Sequence, residues 1–233
     1  MKQLKAVKNY TGELNKNNFE IVVVGTSLGG LQALTVLLAD LPPSFPLPVA
    51  IVQHRHKDSQ NKLIDFLQQQ SSLEIAEAQD KEPLAPGRVY LAPADYHLLI
   101  ESPCEWEQSR PENDLIGKES AAGPIVCRGS FGFALSTEAP VCYARPSIDV
   151  LFESAADAFG KKVIGIILTG ASSDGSQGLA KIKAEGGLTF VQEPASAQCG
   201  TMPASAIANV EVDWILPLSN IAPCLVNLLT IKV

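Results

Sequence analysis

The 233-residue sequence lacks a long hydrophobic run. No apolar stretch approaches the roughly 20 residues that a helix needs to cross a bilayer, which argues against membrane insertion. The first residues include Lys2, Lys5 and Lys8 but no apolar segment of the kind that a secretory signal peptide carries. We therefore expect a protein that is neither inserted into a membrane nor exported.

Paired cysteines are also missing. The chain has five cysteines, an odd number, and they are widely spaced without a C-x-x-C motif. They are Cys104, Cys127, Cys142, Cys199 and Cys224. This pattern indicates reduced thiols and a cytoplasmic location, rather than a disulfide framework or a zinc site.

Basic residues are few. The chain has 18 lysines and arginines against 25 acidic residues, and its net charge is −7. This balance argues against non-specific nucleic-acid binding, which needs clustered Lys and Arg. Hydrophobic residues make up 46% of the chain, a normal share for a globular protein with a substantial core. The length fits one large domain, or at most two small ones.

The most informative stretch is residues 21–30. Its first four residues are β-branched and predict a strand that is buried on both faces. A G-x-S-x-G motif follows at Gly25, Ser27 and Gly29, and leucines at helical spacing come next. Strand, turn and helix form the context of a nucleophile elbow, whereas the glycines match neither the dinucleotide-binding nor the P-loop pattern. Ser27 is therefore a candidate nucleophile, and the alternative is a simple helix cap.

Apolar strands alternate with amphipathic helices along most of the chain. This alternation predicts an α/β fold with a doubly wound, mostly parallel sheet and helices on both faces. Segments 88–92 and 97–101, separated by a Pro-Ala-Asp turn, predict a β-hairpin. We interpret residues 1–19 as a polar lead, residues 20–233 as one catalytic domain, and residues 102–143 as an irregular insertion.

Three polar residues follow predicted strands, at the edge where an open α/β sheet has its active crevice. Ser27 follows the first strand, His54 the second, and Asp174 the strand at 163–168. A serine hydroxyl needs a histidine to accept its proton, and a carboxylate holds the imidazole in the correct tautomer. The three residues predict a nucleophile, a base and an acid, with oxyanion donors after Ser27 and in the 169–173 turn. Asp174 could equally be only a turn or helix-cap residue.

The histidines also permit a metal-site interpretation. His54 and His56 form an H-x-H pair, whose rings point to one face of an extended chain and could bind a metal together. A third ligand would be needed, for example His97 or a carboxylate, and nothing in the sequence shows that these converge. We keep a metal-dependent hydrolase as a minor alternative and expect no metal.

Several segments resemble the catalytic domain of the CheB family, the protein-glutamate methylesterases of chemotaxis. They run in the family's order from about residue 20 to the C-terminus: 24–30, 53–54, 91–97, 145–152, 168–175, 202–203 and 206–207. The resemblance implies Ser27 as nucleophile, His54 as base and Asp174 as acid. It also implies a doubly wound sheet with a β-hairpin near the active crevice.

Some positions near the expected site depart from the family pattern. Leu28 stands where the family usually has threonine, and Ala171 where it usually has methionine, so each would offer its backbone N–H to an oxyanion. Arg55 and His56 replace a Met-Pro pair, and Thr201 replaces a glycine. These departures leave the three catalytic candidates intact and bear on the shape of the substrate site.

The resemblance implies a serine esterase that hydrolyses glutamate γ-methyl esters on chemoreceptor-type proteins and that needs no cofactor. It also allows glutamine deamidation by the same acyl chemistry. We expect Arg145 to line the substrate's approach. About 19 residues precede the first strand, which leaves no room for the family's receiver domain, so we expect no regulation by phosphorylation within this chain. The alternative from another class is a binding or scaffold module that keeps the fold without turnover.

Overall fold

A computed structural model of the chain describes residues 19–55, 62–102 and 130–230. Within these ranges, no helix combines the length and the apolar character needed to span a bilayer. Of the predicted polar lead, only residue 19 is described, and its side chain, Phe19, is buried in the core. Most of the predicted insertion, with Cys104 and Cys127, lies outside the described residues. The other three cysteines are free thiols.

Seven strands of the described chain form one parallel sheet. They are β1 (Ile21–Thr26), β2 (Val49–Gln53), β3 (Glu74–Glu77), β4 (Arg88–Leu91), β7 (Val163–Ile167), β8 (Leu188–Gln192) and β9 (Trp214–Leu216). Their order across the sheet is β3-β4-β2-β1-β7-β8-β9, and every neighbouring pair is parallel. The central strands β1 and β7 are buried along their whole length, as continuous β-branched runs predict for a sheet covered on both faces.

Helices cover both faces of this sheet. They are α1 (Gly30–Ala39), α2 (Lys62–Gln68), α3 (Ile148–Phe159), α4 (Ser176–Ala184), α5 (Thr201–Asn209) and α6 (Leu218–Thr230). Helices α1, α2 and α6 share one core with Val22 and Val24, whereas α3, α4 and α5 share the other with Ile21 and Val23. Successive strand residues point to opposite faces, so β1 supplies both cores. The predicted doubly wound α/β fold is confirmed.

The predicted hairpin between 88–92 and 97–101 is wrong in its pairing. Strand β4 lies between β2 and β3 in the parallel sheet, so both of its edges are already occupied. Strand β5 (His97–Glu101) pairs instead with β6 (Gly132–Ser136) in a separate antiparallel sheet of two strands. Strand β6 belongs to the predicted insertion, and the β5–β6 pair packs its apolar residues into the core that contains α3.

Helices α3 and α4 approach each other closely at Gly178. A Cβ at this position would lie 2.5 Å from Phe152 Cβ and 3.0 Å from the carbonyl oxygen of Asp149. The helices would have to separate to admit a methyl group, so we expect Gly178→Ala to lower the free energy of unfolding by about 1–3 kcal/mol. Urea denaturation measures this change. Gln177→Ala, at an exposed position of the same helix, should change stability by no more than about 0.5 kcal/mol, and equal effects of the two substitutions would contradict the prediction.

Candidate active site

Ser27 lies immediately after β1, in the turn that enters α1. Gly29, at the start of that helix, has a φ of 82°, a left-handed conformation that favours glycine. The Ser27 amide donates to the Thr169 carbonyl oxygen at 3.0 Å, which joins this turn to the one that follows β7. Gly170 permits their close approach, because a Cβ there would lie 3.0 Å from Ser27 Cβ. The Ser27 side chain is thus held, partly exposed, at the carboxyl edge of the sheet.

Asp174 is fully buried at the N-terminus of α3, where it accepts four hydrogen bonds. Its Oδ2 accepts from His54 Nε2 and from the Ile148 amide, both at 2.7 Å. Its Oδ1 accepts from the Ser147 hydroxyl at 2.8 Å and from the Asp149 amide at 3.0 Å. The carboxylate therefore caps a helix that is distant in sequence, at the end where the helix dipole favours negative charge.

The charge state of Asp174 follows from these contacts. Burial disfavours its ionised form, but the hydrogen bond from His54 and those from the amides of Asp149 and Ile148 outweigh that cost. Together they hold the pKa of Asp174 below its ordinary value. Asp174 is consequently ionised at neutral pH and fixes the orientation of the His54 ring.

His54 follows β2, and its amide donates to the carbonyl oxygen of Thr26 at the end of β1, at 3.0 Å. Because Nε2 is bonded to Asp174, Nδ1 is the ring nitrogen that remains to accept a proton. Ser27 and His54 line one cavity of about 520 Å³. Within the described part of the chain the Ser27 hydroxyl makes no hydrogen bond. The structure thus brings His54 and Asp174 into contact and puts Ser27 in the same cavity as His54.

Gln53 links the segments that carry the candidate nucleophile and base. Its Nε2 donates to the carbonyl oxygens of Ser27 at 2.9 Å and of His54 at 3.1 Å, so it fixes the separation of the two backbones. Nothing in the sequence pattern singles out Gln53 as a site residue, and the same is true of Ser147 and Asp149. All three stand in segments that resemble the CheB family, which is the one signal that could have drawn attention to them.

The predicted oxyanion donors, Leu28 and Ala171, lie in the two turns that flank Ser27. Among the described residues, neither backbone amide donates to a protein acceptor. Both side chains are exposed, Leu28 at 55%. Unoccupied N–H groups beside a nucleophile are what an oxyanion hole requires, so this role remains a prediction that the positions of Leu28 and Ala171 support.

Arg145 lies in a second hollow, of about 330 Å³, which shares His54 with the first. Its guanidinium donates to Asp95 at 2.7 Å and to the backbone carbonyl oxygens of residues 137–138. These contacts hold the loop between β6 and α3, and a contact of Arg145 with substrate remains a prediction. Tyr143, on the same loop, is fully exposed at the edge of this hollow.

Within the described residues, no other histidine can join His54 in the metal site that the H-x-H pair suggested. His56 lies outside the described residues. His97 is buried, its Nε2 donates to the Ala139 carbonyl oxygen at 3.1 Å, and its Nδ1 accepts from the Ser147 amide at 3.2 Å. Both ring nitrogens of His97 are thus engaged, and neither could join His54 in binding a metal.

A different group of potential ligand atoms lies beside Asp174. Within the described ranges, the ligand atoms of Cys142, Asp149 and Asp174 are all within 4.8 Å of one another. A carboxylate has about four lone-pair sites, and the four hydrogen bonds to Asp174 already use them. The donor set therefore fits the capping role of Asp174 better than metal binding.

A serine and a histidine that share a cavity, with a buried aspartate hydrogen-bonded to the histidine, match the arrangement found in the class of α/β serine hydrolases. Comparison with known families identifies the particular family within this class. Residues 22–225 match the family described as CheB methylesterase, so the chain belongs to this family of carboxylic ester hydrolases.

Individual relatives are similar over most of the chain. A putative protein-glutamate methylesterase/protein-glutamine glutaminase of Leptospira interrogans is 40% identical over 211 residues, which cover 91% of this chain and 95% of that protein. The protein-glutamate methylesterase FrzG of Myxococcus xanthus is 35% identical over 90% of this chain and 54% of its own length. The crystal structure of the Thermotoga maritima CheB methylesterase catalytic domain matches with a TM-score of 0.77 and 31% identity. The match covers 90% of this chain and 98% of that one.

Asp174→Asn should change how stability depends on pH. The pKa of Asp174 is lower in the folded chain than the ordinary value of about 3.9, so its contribution to stability is complete above that value. This contribution is lost as the pH falls further, through the folded-state pKa. We expect the variant to be less stable at neutral pH by about 1–3 kcal/mol, because donors lose their acceptor, and to lose less stability on acidification.

Urea denaturation between pH 2.5 and 7 measures both effects. Asp40→Asn, which removes an exposed carboxylate at the end of α1, serves as the control and should keep the wild-type pH profile. A parallel decline of wild type and Asp174→Asn below pH 4 would show that Asp174 has an ordinary pKa.

Proposed function

We propose that this chain hydrolyses glutamate γ-methyl esters on a protein substrate, with Ser27 as nucleophile, His54 as base and Asp174 as the acid that orients His54. The hydrogen bond between His54 Nε2 and the buried Asp174 carboxylate is the observation that carries the proposal. It fixes the tautomer in which Nδ1 is unprotonated and able to accept a proton. Family membership and the shared cavity of Ser27 and His54 support it further.

The first half of the reaction forms an acyl-enzyme. Ser27 Oγ attacks the γ-carbonyl carbon while His54 Nδ1 takes the hydroxyl proton. The negative charge that develops on the carbonyl oxygen is stabilised by the amides of Leu28 and Ala171. The bond from carbon to the methoxy oxygen then breaks, and His54 returns its proton to the leaving methanol.

The second half releases the product. Water attacks the acyl carbon, His54 takes one of its protons, and Ser27 leaves with the proton returned from His54. The product is a free glutamate side chain. A glutamine side chain follows the same route with ammonia in place of methanol, which accounts for deamidation as a second activity.

The partner that we infer is a methylated chemoreceptor or a related signalling protein in the cytoplasm. Leu28, exposed at the first cavity, and Tyr143, exposed at the second hollow, offer apolar and aromatic surface on two sides of His54. Such surface beside a site suits contact with a protein rather than with a small, free ester. We also propose that residues 20–233 form the single catalytic domain, with 102–143 as its insertion.

Ester turnover tests the proposal. Methanol release from a receptor fragment that carries γ-methyl glutamate should fall by about 10⁴–10⁶-fold in Ser27→Ala, since the triad acts as a unit. Ser205→Ala, on α5, is the control and should keep wild-type turnover. Chelators should have no effect. Binding of the fragment without turnover by the wild type would favour the scaffold alternative, and loss of turnover with a chelator would favour the metal-dependent one.

Covalent labelling tests the roles of the residues. A serine-directed phosphonate should label Ser27 in the wild type, as a mass shift of the peptide that contains it. His54→Ala should slow the labelling by at least about 10³-fold, because the hydroxyl loses its base. Labelling at an unchanged rate would remove His54 from the mechanism while leaving Ser27 as nucleophile.

A further inference from the structure

A second buried carboxyl group, that of Asp149, lies beside Asp174 and has no part in the reaction described above. Asp149 is only 4% exposed. Its Oδ1 accepts the Gly178 amide of α4 at 2.8 Å, and its Oδ2 is 4.0 Å from the Cys142 thiol. An oxygen of Asp149 lies within 4.8 Å of an oxygen of Asp174, and Asp174 is 2.7 Å from His54. A charge on Asp149 is therefore close enough to act on the imidazole through Asp174.

Asp149 contacts Asp174 through its main chain as well. The Asp149 amide donates to Asp174 Oδ1 at 3.0 Å, so one residue supplies both a donor and a nearby ionisable group. Gly178 holds the Asp149 side chain on α4, and a Cβ at Gly178 would lie 3.1 Å from Asp149 Cα. The position of the second carboxyl is thus fixed by two helices.

The surroundings of Asp149 make its proton available near physiological pH. The pKa of Asp149 is raised to about 6. Burial is the largest cause and the negative charges of Asp174 and Glu153 act in the same direction, whereas the hydrogen bond from the Gly178 amide lowers the pKa. The ionisable groups around it are Asp174 from the β7–α4 turn, Cys142 from the loop before α3, and Glu153 from α3 itself. Helix α4 contributes the uncharged Gly178 amide at this point.

We propose that Asp149 is a positioning residue whose proton sets the charge behind Asp174 and thereby the basicity of His54. With Asp149 protonated, Asp174 alone stabilises the imidazolium that forms when Ser27 is deprotonated. With Asp149 ionised, a second negative charge stabilises the same imidazolium, so His54 becomes a stronger base. The inference rests on the proposed function, because it assigns His54 as the base of that reaction.

The pH dependence of ester hydrolysis by Asp149→Asn tests this role. Asparagine keeps the shape and an acceptor for the Gly178 amide but cannot ionise. We expect the acid limb of the kcat/KM profile to move to lower pH by roughly 0.5–1.5 units, since the additional charge no longer raises the basicity of His54. A variant that lowers kcat/KM equally at every pH, with the limb unmoved, would reduce Asp149 to a structural residue and overturn the inference.

Glu153→Gln is the matched control. It removes the same unit charge from the same helix, but from a half-buried side chain one turn further on, where solvent screens the charge. Its acid limb should stay within about 0.3 units of the wild type. An equal shift in both variants would show a general effect of net charge and would also overturn the specific role of Asp149.

A folding measurement provides a second, independent readout. The folded chain retains the Asp149 proton up to a pH of about 6, whereas the unfolded chain loses it near the ordinary pKa of about 3.9. The contribution of Asp149 to stability therefore falls as the pH rises through this window, and Asp149→Asn should lack that decline. Absence of the difference would contradict the inference.

NMR of the wild-type protein tests the role of Asp149 even if Asp149→Asn fails to fold. With ¹³C-labelled aspartate and histidine, the His54 ring should titrate in two steps, one of which follows the Asp149 carboxyl signal. A single step for His54, with no inflection shared with Asp149, would overturn the inference. Phosphonate labelling of Ser27, and its slowing in His54→Ala, would persist in that case, so the proposed function and this inference fail separately.

Discussion

The interaction on which the site depends is the burial of the Asp174 carboxylate against the N-terminus of α3. A carboxylate without solvent is costly unless every lone pair is occupied, and here four donors occupy them. Three of the donors come from residues 147–149 and the fourth is His54. The turn after β7, the end of β2 and the first turn of α3 are therefore held at one point, which keeps two of the catalytic candidates, His54 and Asp174, in contact.

The same helix start is held from its other side by the small antiparallel sheet. His97 on β5 accepts the Ser147 amide through Nδ1 and donates to the Ala139 carbonyl oxygen through Nε2, so it must be the neutral tautomer with a proton on Nε2. Arg145, paired with Asp95, holds the loop that leads into α3. The β5–β6 pair thus supports the start of α3 through His97 without contributing a catalytic candidate.

The parts of the site that are predictable from the sequence are those that follow from the sheet. Ser27 and His54 come just after an apolar run, and Asp174 lies in the turn that follows another. The carboxyl ends of parallel strands meet at one edge, so the proximity of these residues follows from topology. The pairing of β5 with β6 does not follow from the sheet topology, because an antiparallel pairing across some 30 intervening residues leaves no local pattern in the sequence. The hydrogen bond from the Asp149 amide to Asp174 is equally unpredictable from the sequence, because a backbone amide has the same chemistry whichever side chain its residue carries.

The chemical nature of the donors to Asp174 explains why this carboxylate can act on His54. Two backbone amides and a hydroxyl stabilise the negative charge without a compensating positive charge, so the full field of Asp174 reaches the imidazole. A paired arginine would satisfy the same lone pairs but cancel that field. The two arginines of the hollow beside His54 are instead paired with other carboxylates, Arg145 with Asp95 and Arg55 with Glu77. Uncharged capping by a helix start is therefore the arrangement that buries Asp174 and still leaves its charge available to His54.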